Sequence, residues 1–528
     1  MLFTMKRIII LFVLAGSMLS ACNKFLETKP EDFVTPDNYF NTEADLDRAL
    51  NGVYNRLVDN FGRMYSRGLF SFLSISDEFF YKNITITNLK VMDFDAGQLD
   101  VGKLWEVAYQ GIDRANILLE NLDKPEMDEA KRKAIKGEAL FLRAYYYFIL
   151  VDNFGGIPLK LTSTNNPLEK YLPRSSVADV YASIVNDMKA ADTLVNVSGS
   201  YNYNERVTKT AVEAILARVY LTMAGEPLKD VAKYNDALIY ADKVINSGKH
   251  SLNPDYSRIF INHSENKYDL QECIWEIGMF GNQLGTTQLA GAVGVENGLE
   301  NLVDDNIGYS NGSLKITARM WNLYAATDLR RDWSIAPYRY VLTGGVTTKS
   351  FYTAAQIYDR TVGKWRREYE TLLPKNRNYN STNFPVVRYS DVLLMKAEAE
   401  TQVSGAPTAA AYEAINKVRR RGYGKPVNTP DATVDLTAGL GKDAFLSQLQ
   451  DERARELAFE GMRKHDLIRW GLYLSKMQSL AVDITANAPS GFKYGAAAAK
   501  NTTARNLVFP IPNTEITVNH LVTQNPNW

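Results

Sequence analysis

The sequence predicts a mainly α-helical protein, a superhelix of stacked helical pairs with a large irregular insertion containing short β-strands. Three observations carry this. Apolar residues recur at helical spacing in paired runs, Trp105 to Leu122 with Met127 to Leu150 and Val177 to Leu194 with Lys209 to Met223. The second members of the two pairs repeat each other: Glu138-Ala139, Arg143 and Tyr145 return at one constant offset as Glu213-Ala214, Arg218 and Tyr220. Between residues 251 and 385 the helical period fails, and Asn, Gly, Thr, Tyr and Trp dominate.

Taken in order, the chain of 528 residues begins with an address. Lys6 and Arg7 precede the apolar run Ile8 to Ala15, and the small residues Ser20-Ala21 lead directly to Cys22. A secretory leader has this layout, and the run is shorter than the ~20 apolar residues a membrane span needs. Small residues followed at once by Cys resemble a bacterial lipobox, which implies cleavage after residue 21 and a diacylglycerol on the Cys22 thiol. Residues 1–21 are therefore expected to be a cleaved signal peptide and 22–528 a single mature domain. Cleavage removes Lys6 and Arg7, so the balance of 60 basic and 60 acidic residues becomes a slight acidic excess. With no basic stripe, a nucleic-acid partner is not expected. Cys273 is left as the one free thiol, so no disulfide framework exists, and its strand-like surroundings, Cys273 to Ile277, predict a small buried hydrophobe.

A tether stiffened by Pro30 and Pro36 leads to the first helix, which opens at Asn41-Thr42 and buries Leu46, Ala49, Leu50, Val53 and Leu57. Ser74 to Asn83 reads as a loop, in which Phe79, Phe80 and Tyr81 stand beside polar Lys82 and Asn83. The helical pairs follow. Small alanines at the crossings with aromatics above and below are the logic of tetratricopeptide-like pairs, in a degenerate form because the spacing exceeds the usual period. A face that one pair cannot bury alone is covered by its neighbour. Of Tyr145-Tyr146-Tyr147-Phe148, two are expected to face outward.

The insertion, 251–385, holds Trp321, Tyr324, Trp333, Tyr338, Tyr340 and Trp365. A long irregular stretch rich in aromatics carries function more often than disorder. Aromatic faces stack on the C–H faces of sugar rings while Asn and Arg hold hydroxyls, so this is the expected ligand-facing part. Beyond it, Gln450 to Gly471 is a charged helix in which Glu452–Arg455, Arg453–Glu456 and Glu460–Lys464 are expected to pair at helical spacing. Its arginines and carboxylates read as braces into neighbouring elements rather than acid–base chemistry.

Enzyme signatures are absent. His250, His263, His465 and His520 are scattered without zinc-ligand spacing, and no Gly-x-Ser-x-Gly elbow occurs. Gly344-Gly345-Val346-Thr347-Thr348-Lys349-Ser350 imitates a phosphate loop but has Thr348 where the second glycine belongs. Neither a metal nor a cofactor is expected, and the hint of a calcium loop at Asp304-Asp305-Asn306 lacks the full ligand spacing.

Several passages together resemble the SusD/RagB family of bacterial outer-membrane nutrient-binding lipoproteins: Cys22 with Phe25-Leu26 and Tyr39-Phe40, the run Asn383 to Ala399, the Glu452 to Gly471 passage, and the ending Pro510-Ile511-Pro512 with Gln524 to Trp528. Asp391 stands where that family favours Glu, and Asn527 where it has Gly. The resemblance implies a lipid-anchored, cell-surface protein of the outer membrane. It would capture an oligomeric nutrient, a glycan oligosaccharide, and pass it without chemistry to a SusC-like TonB-dependent β-barrel transporter. The alternatives are the same scaffold binding oligopeptides, as in RagB-like members, and a surface glycoside hydrolase. The resemblance also implies that the loop carrying Phe80 and Tyr81 approaches the ligand. It makes Trp321 and Tyr324 packing residues, and leaves Trp333 and Tyr338, just past Arg330-Arg331, as the exposed aromatics for ligand binding.

Overall fold

The computed structural model describes residues 39–59, 64–82, 88–164, 166, 171–285 and 288–528. The expected leader 1–21, the anchor Cys22, Phe25-Leu26 and Asn83 lie outside the described residues.

Helix α1 (Glu43–Val58) starts at a capping box: Thr42 Oγ1 accepts from the Asp45 amide while the Asp45 carboxylate accepts from the Thr42 amide. A short strand, β1 (Phe79–Tyr81), follows, then α2 (Leu99–Glu120) and α3 (Glu129–Phe154), the latter capped by Asp128. Helices α4 (Val177–Leu194), capped by Ser176, α5 (Lys209–Ala224) and α6 (Lys233–Asn246) continue the stack. Each packs on the one before it. The chain then runs through α7 (Tyr256–Ser264), β2 (Cys273–Ile277), α8 (Val293–Asn297), β3 (Leu314–Ile316), α9 (Ala318–Asn322), α10 (Arg331–Ser334), β4 (Tyr338–Thr343), β5 (Val346–Phe351) and β6 (Phe384–Arg388). It closes with α11 (Tyr389–Ser404), α12 (Ala409–Gly422), α13 (Lys442–Glu456), α14 (Arg463–Arg469), α15 (Tyr473–Asn487), α16 (Ala497–Asn501) and α17 (Asn513–Val518). The fold is mainly α with a few short strands. Because α11 packs directly on α6, the intervening residues leave the helical stack and return to it.

Helices α3 and α5 are buried almost all round, as expected of helices whose apolar residues do not keep to one stripe. All of Tyr145, Tyr146, Tyr147 and Phe148 are buried, which corrects the expectation that two face outward. The neighbours α2 and α4 cover both sides of α3, so no face is left for solvent. Gly111 of α2 makes one of these seats: a Cβ there would come within 2.5 Å of the Tyr146 ring. The repeated arginines do different work. Arg143 grips Asp187 of α4 with two bonds of 2.8 Å and also holds Asn116 of α2. Arg218 instead reaches Asp391 of α11 at 2.6 Å and the carbonyl of Val386 at 2.8 Å, tying the stack to the far side of the insertion.

The described strands form three two-stranded antiparallel sheets. β1 pairs with β3 (Phe79 opposite Ile316), β2 with β6 (Cys273 opposite Arg388), and β4 with β5 in a hairpin. The run that imitated a phosphate loop supplies this hairpin's turn, Gly344-Gly345, and most of β5. Gly344 and Gly345 have φ of +60° and +80°, the two consecutive left-handed residues that match the strands' twist. One continuous core runs through the helical stack, and a small second one (Leu299, Ala336, Tyr338, Tyr340) sits under the hairpin.

Candidate functional site

The aromatics expected to meet a ligand are placed inward. Phe80 is 4% exposed, Tyr81 3%, Trp333 9% and Tyr338 6%. The Phe80 ring packs against Tyr494 and Tyr358, in a seat that exists because Gly495 has no side chain. Tyr81 lies edge-on to Phe79 with Lys90 Nζ 4.8 Å from its ring centre, and burial pushes its phenol far up. Trp333 stacks under the Arg366 guanidinium, 4.0 Å away, beside Tyr369. Tyr338 donates to Glu368 at 2.9 Å and accepts from Lys349 Nζ at 2.8 Å. The expected exposure of Trp333 and Tyr338 is corrected: both are buried. The segments that looked like loops are strands: 79–81 is covered by β3, and period-2 alternation turns Tyr338 and Tyr340 inward while Arg339 stays out. The alternation of Tyr338 to Thr343 before a Gly-Gly turn was the signal available for this. Of the packing pair, Tyr324 is buried and donates to the Arg455 carbonyl at 2.8 Å, and Trp321 is half-buried beneath Arg331 and Arg360.

Other residues of the insertion face solvent. Phe280 is 66% and Phe351 68% exposed, with Leu342 and Val346 on the hairpin. The loops of this face are tied together: Asn282 donates to the Pro374 carbonyl at 2.8 Å, Lys375 to that of Ile307 at 2.9 Å, and Arg377 pairs with Asp305 at 3.2 Å. Asp304 takes the amide of its own Asn306 at 2.9 Å, so these acidic groups serve the loop itself. The insertion thus exposes apolar and aromatic side chains on loops whose Asn, Arg and Lys groups are used to hold one another.

A groove of 760 Å3 lies between α2, the segment after Pro158 and α17. Its walls include Trp105 and Tyr109, whose polar ends are turned to protein: Trp105 Nε1 donates to Glu515 at 3.3 Å and the Tyr109 hydroxyl to the Pro158 carbonyl at 2.8 Å. Lys103, Glu106, Asp113 and Lys160 also border it.

The charged C-terminal passage forms a buried ionic lattice. Glu456 takes Arg388 at 2.9 Å, Arg421 at 2.5 Å and Arg330 at 3.1 Å, and all four side chains are fully buried. Arg388 also binds Glu460 and Glu272, and Arg330 binds Asp328 and Glu452. Of the three expected helical pairs, Glu452–Arg455 forms, at 2.7 Å. Arg453 instead holds Asp391 and Asp466, and Glu460 holds Arg388 and Lys364. Asp77 receives Arg463 at 2.8 Å, while adjacent Glu78 accepts the Phe459 amide at 3.0 Å, so these two carboxylates turn to different partners. Every group here is engaged in holding elements together.

Lys464 is the exception in kind. It is buried, its Nζ reaches the Leu73 carbonyl at 3.2 Å and lies 3.9 Å from the Phe509 ring centre, and burial lowers it from 10.5 to about 7. Between those values the unfolded chain holds the proton that the folded one gives up, so this residue makes stability rise with pH above about 7. Lys464→Met should remove that rise and stabilise the protein at pH 7 by about 2 kcal/mol, because a buried charge is replaced by a fitting apolar chain. Urea denaturation at pH 7 and pH 9 checks this, and a less stable variant at pH 7 contradicts it.

His263, Cys273 and Glu276 are buried together, with His263 Nε2 3.2 Å from Cys273 Sγ and 3.3 Å from Glu276 Oε2. The Trp365 indole N–H, which only donates, faces His263 Nδ1 at 3.4 Å. That leaves the proton on Nε2, which faces both the Cys273 sulfur and the Glu276 carboxylate and ties the three side chains together. Burial also holds the Cys273 thiol protonated.

Stacked helical pairs carrying an aromatic-rich insertion define a helical-repeat scaffold. Comparison with known proteins gives the family. Residues 323–528 match the SusD family model, and residues 24–221 match a SusD-like family described as starch-binding, associating with the outer membrane. The chain belongs to the SusD/RagB family. It is 25% identical to SusD-like protein P25 of Formosa agariphila, over 89% of this chain and 91% of that protein. It is 26% identical to the starch-binding protein SusD of Bacteroides thetaiotaomicron, over 77% of this chain and 75% of that protein. A solved SusD homologue from Bacteroides thetaiotaomicron superposes with a TM-score of 0.85 at 29% identity, covering 93% of this chain and 98% of that one.

Proposed function

We propose that the mature protein is a cell-surface lipoprotein of the outer membrane, anchored through Cys22. In this reading it captures a glycan oligosaccharide and passes it, without chemistry of its own, to a SusC-like TonB-dependent barrel. The observation that carries this reading is family membership along the whole chain, with matches at both ends and whole-length similarity to a solved SusD homologue. Relatives named as starch-binding and laminarin-binding support a glycan as ligand. The exposed aromatics of the insertion support it physically: Phe280 and Phe351 each offer a ring to solvent on which a sugar can stack. Aromatic stacking gives modest affinity per sugar ring, suited to a ligand that must be released again, and opening and closing of the protein over the barrel would gate that release.

The test is a glycan array run beside an oligopeptide panel, with affinity purification from membranes. Binding of at least one glycan, no hydrolysis of it, and copurification of a large β-barrel are expected. Binding of peptides alone moves the ligand class to the RagB-like reading, and turnover lost on changing one carboxylate moves the protein among hydrolases. Cys22→Ser is expected to shift the protein from the membrane to the soluble fraction, because removing the acyl chains removes ~0.8 kcal/mol for each buried methylene. A variant that still sediments with membranes sinks the lipid-anchor assignment.

A further inference from the structure

A second cavity, of 390 Å3, lies between α1, the loop that carries Tyr203 to Arg206, and the end of β2. That volume falls in the ~300–1,000 Å3 range of small-ligand sites. The loop reads Tyr201-Asn202-Tyr203-Asn204 and joins α4 to α5. The opposite wall belongs to the insertion: Glu276, Ile277, Gly278 and Leu289 line it, and Leu289 pairs with the exposed Phe280. Tyr203 borders the cavity, and its ring is stacked against Tyr201 at 5.3 Å with Tyr268 6.2 Å away.

The wall is held in place before any ligand arrives. Asn204 Nδ2 donates to the Cys273 carbonyl at 2.8 Å and its own carbonyl accepts the Glu276 amide at 3.1 Å. Trp275 Nε1 donates to the Glu205 carbonyl at 3.1 Å, the Tyr268 hydroxyl to the Glu205 carboxylate at 2.6 Å, and the Val207 amide to the Tyr54 hydroxyl at 3.0 Å. A loop pinned by five bonds to β2, α1 and its neighbours loses little entropy when something stacks on it.

The polar groups select the ligand. Arg206 borders the cavity, but its charge is matched by Asp47 at 2.6 Å and Glu138 at 3.2 Å, so the site does not call for an anion. Its remaining bond goes to Asn51 Oδ1 at 3.0 Å, which leaves the Asn51 amide group facing outward as a donor. Glu205 supplies carboxylate oxygens at the wall, one of them already taken by the Tyr268 hydroxyl, while the buried Glu276 turns its oxygens to Asn383 and His263. An aromatic wall edged by an amide donor and a carboxylate acceptor fits a neutral polyhydroxylated ring.

We propose that this cavity is a saccharide subsite beside the strand end that carries the exposed Phe280, in which one sugar unit of the glycan stacks on Tyr203. The assignment rests on the glycan-binding reading and adds a second point of attachment to it. Two weak subsites on one chain raise the affinity for long glycans above that for short ones, without any new contact at either.

The test uses the full chain with maltoheptaose, laminariheptaose and the strongest array ligand, by titration calorimetry, with thermal melts of every variant. Tyr203→Ala should bind about tenfold more weakly, the loss of one stacking surface, whereas Tyr203→Phe, which keeps the ring, should bind like wild type. Asn51→Trp, on the solvent side of α1, should fill the cavity and weaken binding to a similar extent, and it stands in if the alanine variant fails to fold. Unchanged affinity in folded Tyr203→Ala or in Asn51→Trp overturns the subsite while leaving the glycan reading intact. Equal loss in the Phe and Ala variants also overturns stacking. Wild type that binds no glycan on the array overturns the glycan reading itself, and the subsite with it.

Discussion

Replacing Glu456 by Ala is expected to lower the unfolding free energy by about 3–5 kcal/mol, the range for breaking a buried ion pair by removing one partner. Three fully buried guanidinium groups, Arg330, Arg388 and Arg421, converge on this one carboxylate. They come from α10's N-terminal edge, the end of β6 and α12, so the loss would loosen the insertion, the returning strand and the closing helices together. The arginines hold the Glu456 carboxyl far below the carboxylate range, Glu452 at about 2 and Asp391 at about 2. A carboxyl lowered in the folded state contributes stability that is complete above its unfolded value, near 4.5 for Glu and 3.8 for Asp, and is lost as pH falls toward 2. Wild type should therefore weaken steeply on acidification through that window, and Glu456→Ala less steeply. Guanidinium denaturation at pH 7 and at pH 2.5 reads both effects. A variant that loses glycan binding while keeping wild-type stability would make the lattice part of the binding site instead of its frame.

Trp275→Ala is expected to lower stability by a similar amount, about 3–5 kcal/mol, because a fully buried Trp leaves a cavity that its neighbours fill only in part. The ring stands edge-on to Phe141 at 5.1 Å and Tyr145 at 4.9 Å, which joins β2 to the middle of α3. Its Nε1 holds the Glu205 carbonyl, so the loop bearing Tyr203 should loosen too. Trp275→Phe keeps most of the packing and should fall between wild type and the alanine variant. Urea midpoints at constant slope measure this series, and a cost below about 1 kcal/mol for Trp275→Ala would show that α3 and β2 are held by other contacts.

The helical scaffold could be read because its signal is local. Val177–Leu194 appears with the predicted ends, α5 starts where predicted and ends one residue later, and α3 lies close to its predicted span, since helical period and capping residues lie inside the segment they describe; α2 begins earlier than predicted, at Leu99 instead of Trp105. The insertion could not be read in the same way. β1 finds its partner in β3 and β2 finds its partner in β6, far along the chain, and strands of three to five residues carry too little alternation to announce themselves. Phe80 and Tyr81 looked like loop aromatics for that reason. Trp333 and Tyr338 were set apart for exposure by position after an Arg pair, yet Arg366 and Glu368 return to cover them. The Tyr203 loop drew no notice as a site, because Tyr and Asn in a short connection between helices carry no pattern of their own.

The charged passage marks the division most clearly. Helical spacing located its acids and bases, and one pair, Glu452–Arg455, forms at that spacing. The other partners are set by the folded chain: Arg453 goes to Asp391 and Asp466, and Glu460 to Arg388 and Lys364. In a water-free interior a charge must be met by whatever opposite charge the fold brings to it, and spacing along one helix loses its authority. The sequence alone therefore determined the family, the helical pairs and where regular structure stops, all properties of neighbouring residues. The tertiary structure decided which aromatics remain open to a ligand, because burial depends on what the rest of the chain brings back to cover them.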